Sequence, residues 1–251
     1  MTMATSDAQS WIRRFHQTPA TTPRLVCLPH AGGSASYYFP FSAALAPAAQ
    51  VLAVQYPGRQ DRRNDPSLST VPELAEAIFG ALTDVPDLGE FALFGHSMGA
   101  VLAFEVAALL ERRLGIQPVR LFVSGRRAPS RVRHERAHTL NDDGLVAELT
   151  TLDGTDSRLL ADPEMRELLL PMIRSDYRAI ETYRCDPGAT VSCPISVLTG
   201  DADPRTSIDE ALDWRQHTSA DFTIREFSGG HFFLNDHQAE IVECVTRATG
   251  W

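Results

Sequence analysis

Six short apolar runs alternate with longer segments of helical period along this chain, and that alternation limits the fold more than any other feature. RLVCL (24–28), VLAVQ (51–55), FALF (91–94), RLFVS (120–124), ISVLT (195–199) and FTIREF (222–227) read as strands. Most are apolar on both faces, as the central strands of a parallel sheet covered by helices on both sides must be. Helical patterns fill about 37–46, 72–84, 98–114, 208–217 and 235–248, with Pro72 and Gly115 standing at a start and a stop. Such strand–helix repeats, joined by right-handed crossovers, predict an open α/β sheet. A chain of 251 residues fits a single domain over 1–251.

The rhythm breaks between about 130 and 190, where no strand pattern occurs and the text is helical. A helical insertion at that point would lie over the carboxyl ends of the strands, either as a lid on a ligand site or as static packing. Leu159, Leu160, Leu168, Leu169, Met172, Ile173 and Tyr177 recur there at helical spacing. Pro171, inside that stripe, is expected to kink or divide its helix, giving a lid of more than one helix.

Charge and cysteine usage exclude several classes. The formal net charge is −9, which disfavours nucleic acid and anionic membrane as partners. All 23 basic residues are arginine, so no lysine is available as a base or Schiff-base former. Cys27, Cys185, Cys193 and Cys244 form no C-x-x-C pair, which argues against structural zinc or a disulfide framework. The first residues lack the apolar core of a signal peptide, and no apolar run reaches membrane-spanning length. A soluble cytoplasmic protein is expected.

Chemistry concentrates at FGHSMGAVLAF, where Gly95-His96-Ser97-Met98-Gly99 fits G-x-S-x-G at the point where a strand gives way to a helix. Ser97 could cap that helix, or it could be a nucleophile on a strained turn. A serine nucleophile needs a base, and the base needs an acid to orient it. His231 follows the last strand on a glycine-rich loop, SGGHFFL, and Asp201 and Asp203 follow ISVLT. The preceding strand end, VSGRRAPSRVRH, offers no carboxylate before Glu135, so the acid belongs after ISVLT. Asp203, further out on the loop, is the choice, and the order Ser…Asp…His is that of this hydrolase class. Backbone N–H groups of Met98 and of Ala31, in the loop LPHAGGSASYYF, are the expected oxyanion donors. His30 is read as bracing that loop rather than touching substrate, and His96 as structural. No metal or organic cofactor is required.

LPHAGGSASYYFPF, VQYPGRQDR, FGHSMGAVLAFE, LPMIRSDYRAIETY, LTGDADP and SGGHFFL, in that order across about 24–234, resemble the signature blocks of type II thioesterases. These are stand-alone editing enzymes of polyketide and nonribosomal peptide assembly lines. The resemblance implies an α/β-hydrolase fold with a helical lid that hydrolyses stalled or mis-primed acyl groups from the phosphopantetheine thiol of carrier proteins. It implies Ser97 as nucleophile, His231 as base and Asp203 as its orienter. A thiolate leaves more readily than an alkoxide, its pKa being about 8.5. The same triad would also serve an esterase or acyl-CoA hydrolase, and a hydrolase fold can serve as a non-catalytic binding module.

Carrier proteins of this kind are acidic, and so is this chain. Arg120, Arg126, Arg127, Arg131, Arg133 and Arg136 nevertheless crowd a 17-residue window opposed only by Glu135. Arg126, Arg127, Arg131 and Arg133 are the expected docking group for a carrier's acidic helix or its phosphopantetheine phosphate. Arg59, Arg62 and Arg63 form a second cluster, and the chain is expected to act as a monomer.

Overall fold

The computed structural model describes residues 10–46, 48–86, 88–152 and 160–251; Leu159 of the predicted lid stripe lies outside them. The strands are β1 (Ile12–Arg13), β2 (Arg24–Leu28), β3 (Gln50–Val54), β4 (Phe91–His96), β5 (Leu121–Ser124), β6 (Ile195–Gly200) and β7 (Phe222–Phe227). They form one sheet in the order β1-β3-β2-β4-β5-β6-β7. Every neighbouring pair is parallel except β1, which runs antiparallel along β3. β1 has no counterpart in the predicted elements, because two residues carry no periodicity.

The helices are α1 (Phe39–Leu45), α2 (Val71–Thr83), α3 (Met98–Leu114), α4 (Asp142–Thr150), α5 (Pro163–Thr182), α6 (Ile208–Leu212) and α7 (Gln238–Thr249). Strand alternation sends side chains to two cores. Val26, Leu28 and Leu93 pack with α2 and α3 on one face, whereas Leu25, Cys27 and Phe94 pack with α1 and α7 on the other. This is why the central strands are apolar at every position. The predicted helix at 208–217 is α6 followed by a 3₁₀ turn, Asp213–His217.

The segment between β5 and β6 contains α4 and α5, and its apolar residues form a third cluster that includes Leu145, Leu149, Leu160, Leu170, Met172, Ile173 and Tyr177. Leu168 departs from the predicted stripe and is half exposed. Pro171, expected to kink or divide its helix, does not divide it: α5 runs unbroken from Pro163 to Thr182, and the segment holds more than one helix because α4 precedes it. The missing N–H would have bonded the carbonyl of Glu167, and both residues face solvent, so water can take that carbonyl. Burial of Leu170, Met172 and Ile173 then holds the helix together across the gap.

Candidate active site

A crevice opens where β2 and β4, adjacent in the sheet, send their following segments to opposite faces, one to α1 and the other to α3. Loop 29–33 flanks one side of this crevice, and the turn from β4 into α3 flanks the other. A cleft there is lined by Ala31 and Ser97, by Arg126, Glu135 and Arg205, by Tyr177 and Glu181, and by His231, among others.

Ser97 occupies the turn itself at φ 55 and ψ −114, a conformation that costs a non-glycine residue roughly 1–3 kcal/mol. The flanking glycines make the turn possible. A Cβ on Gly95 would lie 2.0 Å from the carbonyl oxygen of Gly99, and one on Gly99 would lie 2.0 Å from that of Leu28. Ser97 does not cap α3 with its side chain, so the capping alternative fails. Its hydroxyl makes no hydrogen bond among the described residues and is left to the cleft. Hydrogen bonds between a nucleophile and its base are often long before substrate binds and tighten in the Michaelis complex.

His231 and Asp203 come together from the ends of β7 and β6. Nδ1 of His231 lies 3.0 Å from both carboxylate oxygens of Asp203, and both side chains are almost wholly buried. A carboxylate can only accept, so Nδ1 carries the proton and Nε2 is left with its lone pair. The Arg205 N–H donates to Asp203 Oδ1 at 2.8 Å, fixing the carboxylate. Asp201, the other candidate acid, instead accepts from the Gly229 N–H at 2.8 Å, while Ala202 N–H donates to Gly229 O at 2.9 Å. Asp201 thereby ties the loop bearing His231 to the loop bearing Asp203.

The N–H groups of Ala31 and Met98 have no acceptor among the described residues; Met98 opens α3, at the positive end of the helix dipole. Both are available to an oxyanion in the cleft. The loop bearing Ala31 is anchored by an arrangement that sequence reasoning missed. Asp176 of α5 accepts from the Gly32 N–H at 2.8 Å and pairs with Arg59 through two bonds of 2.8 and 2.9 Å. Arg59 also donates to the carbonyl of Gly33 at 2.8 Å. Asp176 and Arg59 lie within two of the quoted blocks, RSDYRAIETY and VQYPGRQDR, but nothing local in either reveals the pairing.

His30 braces its loop through ring contacts with Tyr37 and Phe232, each with centroids 4.8 Å apart, and makes no side-chain hydrogen bond among the described residues. Burial pushes its pKa down to about 3, helped by the nearby His231 and Arg59. His96 bonds Ser124 Oγ at 3.1 Å and lies with its ring centroid 5.0 Å from that of His231, and burial holds its pKa well below the usual histidine range. Both rings therefore stay neutral beside His231.

The arginines do not form the free patch expected from their sequence crowding. Arg127 is buried and pairs with Glu135; Arg131 pairs with Asp213, and Arg133 with Glu210. Arg120 lies at the start of β5, the far end of the sheet, where it bonds Ala248 O and Ser196 Oγ. Of the second cluster, Arg59 and Arg62 are buried and Arg63 alone is exposed, so the three do not form a joint docking surface. Arg126 turns into the cleft. Among the described residues no three His, Cys, Asp or Glu side chains converge as metal ligands, and no helix is long and apolar enough to cross a membrane.

Residues 23–249 match the family model of the thioesterase domain. Thioesterase PikA5 of Streptomyces venezuelae is 52% identical over 240 residues, covering 96% of this chain and 85% of that protein. A probable cadicidin biosynthesis thioesterase of Streptomyces griseus is 50% identical over 94% of this chain, which spans 65% of that protein. Among solved structures, the type II thioesterase BorB from the borrelidin biosynthetic cluster superposes with a TM-score of 0.89 at 50% identity, over 96% of this chain and 98% of that one.

Proposed function

The chain belongs to the thioesterase family, and from that premise we propose that it hydrolyses acyl groups from the phosphopantetheine thiol of carrier proteins in a polyketide or nonribosomal peptide assembly line, through a Ser97–His231–Asp203 triad. The observation that carries the reading is the pairing of His231 Nδ1 with Asp203 at the edge of a cleft that also holds Ser97. Relatives at half identity or more, one named thioesterase PikA5, one named for cadicidin biosynthesis and one a type II thioesterase from the borrelidin biosynthetic cluster, support the assembly-line setting.

In this reading the Ser97 hydroxyl attacks the thioester carbonyl while its proton passes to Nε2 of His231. Asp203 holds the resulting imidazolium in register. Charge on the carbonyl oxygen is taken up by the N–H groups of Ala31 and Met98, each such donor being worth about 10²–10³ in kcat. Collapse expels the thiolate, which receives the proton from His231. Water, deprotonated by the same imidazole, then attacks the acyl-serine, and Ser97 departs with its proton restored. The chain works as one domain with a helical lid, in the cytoplasm and as a monomer.

The test is mass spectrometry of an acyl-loaded carrier protein incubated with the enzyme, beside the matching acyl-CoA and oxygen ester. Faster loss of the acyl group from the carrier supports the proposal. Preference for the oxygen ester would replace it with an esterase. Failure of a fluorophosphonate to label the native chain, under conditions that label a serine hydrolase control, would favour a non-catalytic binding module.

A further inference from the structure

Two arginines line the cleft, and they differ in what they touch. Arg205 pairs with Glu135 and with Glu148. Arg126 makes no ion pair and no side-chain hydrogen bond among the described residues, although its backbone is fixed: Trp214 Nε1 donates to its carbonyl at 2.8 Å, and the preceding Gly125 N–H bonds Leu198 O at 2.9 Å. The acids nearby are already occupied. Glu135 takes Arg127 and Arg205, while the buried Glu181 takes the backbone N–H groups of Ala137 and His138 at 2.9 and 3.0 Å. Burial, then the neighbouring Arg127, pushes the Arg126 pKa down to about 9, so at neutral pH it remains a cation in surroundings that disfavour one.

A guanidinium with five donors and no acceptor is completed by an anion. Resting on the thioesterase reading above, we propose that Arg126 is a specificity-determining residue that binds the carboxylate of an acyl group carrying its own acid, of the malonyl or succinyl type. Position decides between the two anions such a substrate offers. Arg126 lines the same cleft as Ser97 and His231 and follows β5 by two residues, while Ser97 N–H bonds Ser124 O at the end of that strand at 2.8 Å. The carboxylate of a short dicarboxylic acyl chain lies one or two carbons from the carbonyl that Ser97 attacks. The phosphate of the pantetheine arm lies at its far end, many bonds from the thioester.

The test compares succinyl and pentanoyl thioesters of N-acetylcysteamine, which carry no phosphate, and the same two acyl groups on coenzyme A, for native enzyme and Arg126→Gln. A thermal melt and the fluorophosphonate labelling rate verify that the variant is folded and its serine reactive. The expected result is a loss of about ten- to a hundredfold in kcat/KM on both succinyl thioesters, with less than a twofold change on both pentanoyl thioesters. Equal loss on succinyl and pentanoyl substrates overturns the proposal. Loss on the coenzyme A thioesters alone, whatever their acyl group, overturns it in favour of phosphate recognition. If the native enzyme hydrolyses pentanoyl thioesters and only the selectivity fails, the thioesterase reading stands without this inference; if it hydrolyses none of the four, both fall.

Discussion

Removing Asp176 tests whether α5 holds the loop bearing Ala31, the proposed oxyanion donor, in place. Asp176 and Arg59 have side chains only 1% and 3% exposed, and they share two hydrogen bonds. In Asp176→Ala the guanidinium keeps backbone carbonyls of Gly33 and Pro57 but loses its countercharge, and the Gly32 N–H loses its acceptor. Leaving one partner of a buried pair uncompensated costs about 3–5 kcal/mol. For a chain of this size, at about 2–4 °C per kcal/mol, Tm should fall by about 6–20 °C. The loop carrying the Ala31 N–H is also released from α5, so kcat should drop by up to the 10²–10³ associated with one oxyanion donor, with KM changed far less. The double variant Arg59→Met/Asp176→Leu separates the two effects. Apolar replacement of both partners is commonly near neutral for stability, so Tm should recover while kcat stays low. Calorimetry and steady-state kinetics on a small thioester read both quantities. A fall in Tm under 2 °C for Asp176→Ala, or native kcat in the double variant, would refute the reasoning.

Three further outcomes follow from the geometry. Ser97→Gly removes the backbone strain along with the hydroxyl, whereas Ser97→Ala removes only the hydroxyl, so the glycine variant should be the more stable by about 1–3 kcal/mol in urea melts; equal midpoints would mean the turn is unstrained. Gly99→Ala places a methyl 2.0 Å from the Leu28 carbonyl oxygen, and fluorophosphonate labelling of Ser97 should fall at least tenfold because the turn must shift; native labelling would contradict the close approach. His30 and His96 are held neutral when folded but take protons below about pH 6.5 when unfolded. Stability is therefore full above that pH and is lost as pH falls, by up to about 1.4 kcal/mol per pH unit for each ring. His30→Phe should shrink the drop in urea midpoint between pH 7 and pH 5, and an unchanged drop would count against the buried neutral ring.

What the sequence made legible was local. β2 and β4 are apolar on both faces, and the G-x-S-x-G turn sits between a strand and a helix pattern, so both the sheet and the position of Ser97 could be read directly. Asp203 was reachable because only one strand end offered a carboxylate in the right order. β1 was not legible at two residues, and whether Pro171 would divide its helix was not legible because that depends on whether the freed carbonyl faces solvent. The arginine patch misled for a related reason. Arg131 and Arg133 find Asp213 and Glu210 across 82 and 77 residues of chain, pairings that crowding of like charge within one window conceals. The Asp176 anchor was hidden in the same way, since its partners Arg59 and Gly32 lie 117 and 144 residues away.

The central claim is that Ser97 is the nucleophile for thioester hydrolysis on a carrier protein. Its most direct test is the rate at which native enzyme and Ser97→Ala clear an acyl group from a loaded carrier, followed by the intact mass of the carrier. The account predicts that the variant retains at most about 10⁻⁴ of the native rate, in line with the loss of a triad serine elsewhere. A Ser97→Ala rate within tenfold of native, at matched folding, would contradict it.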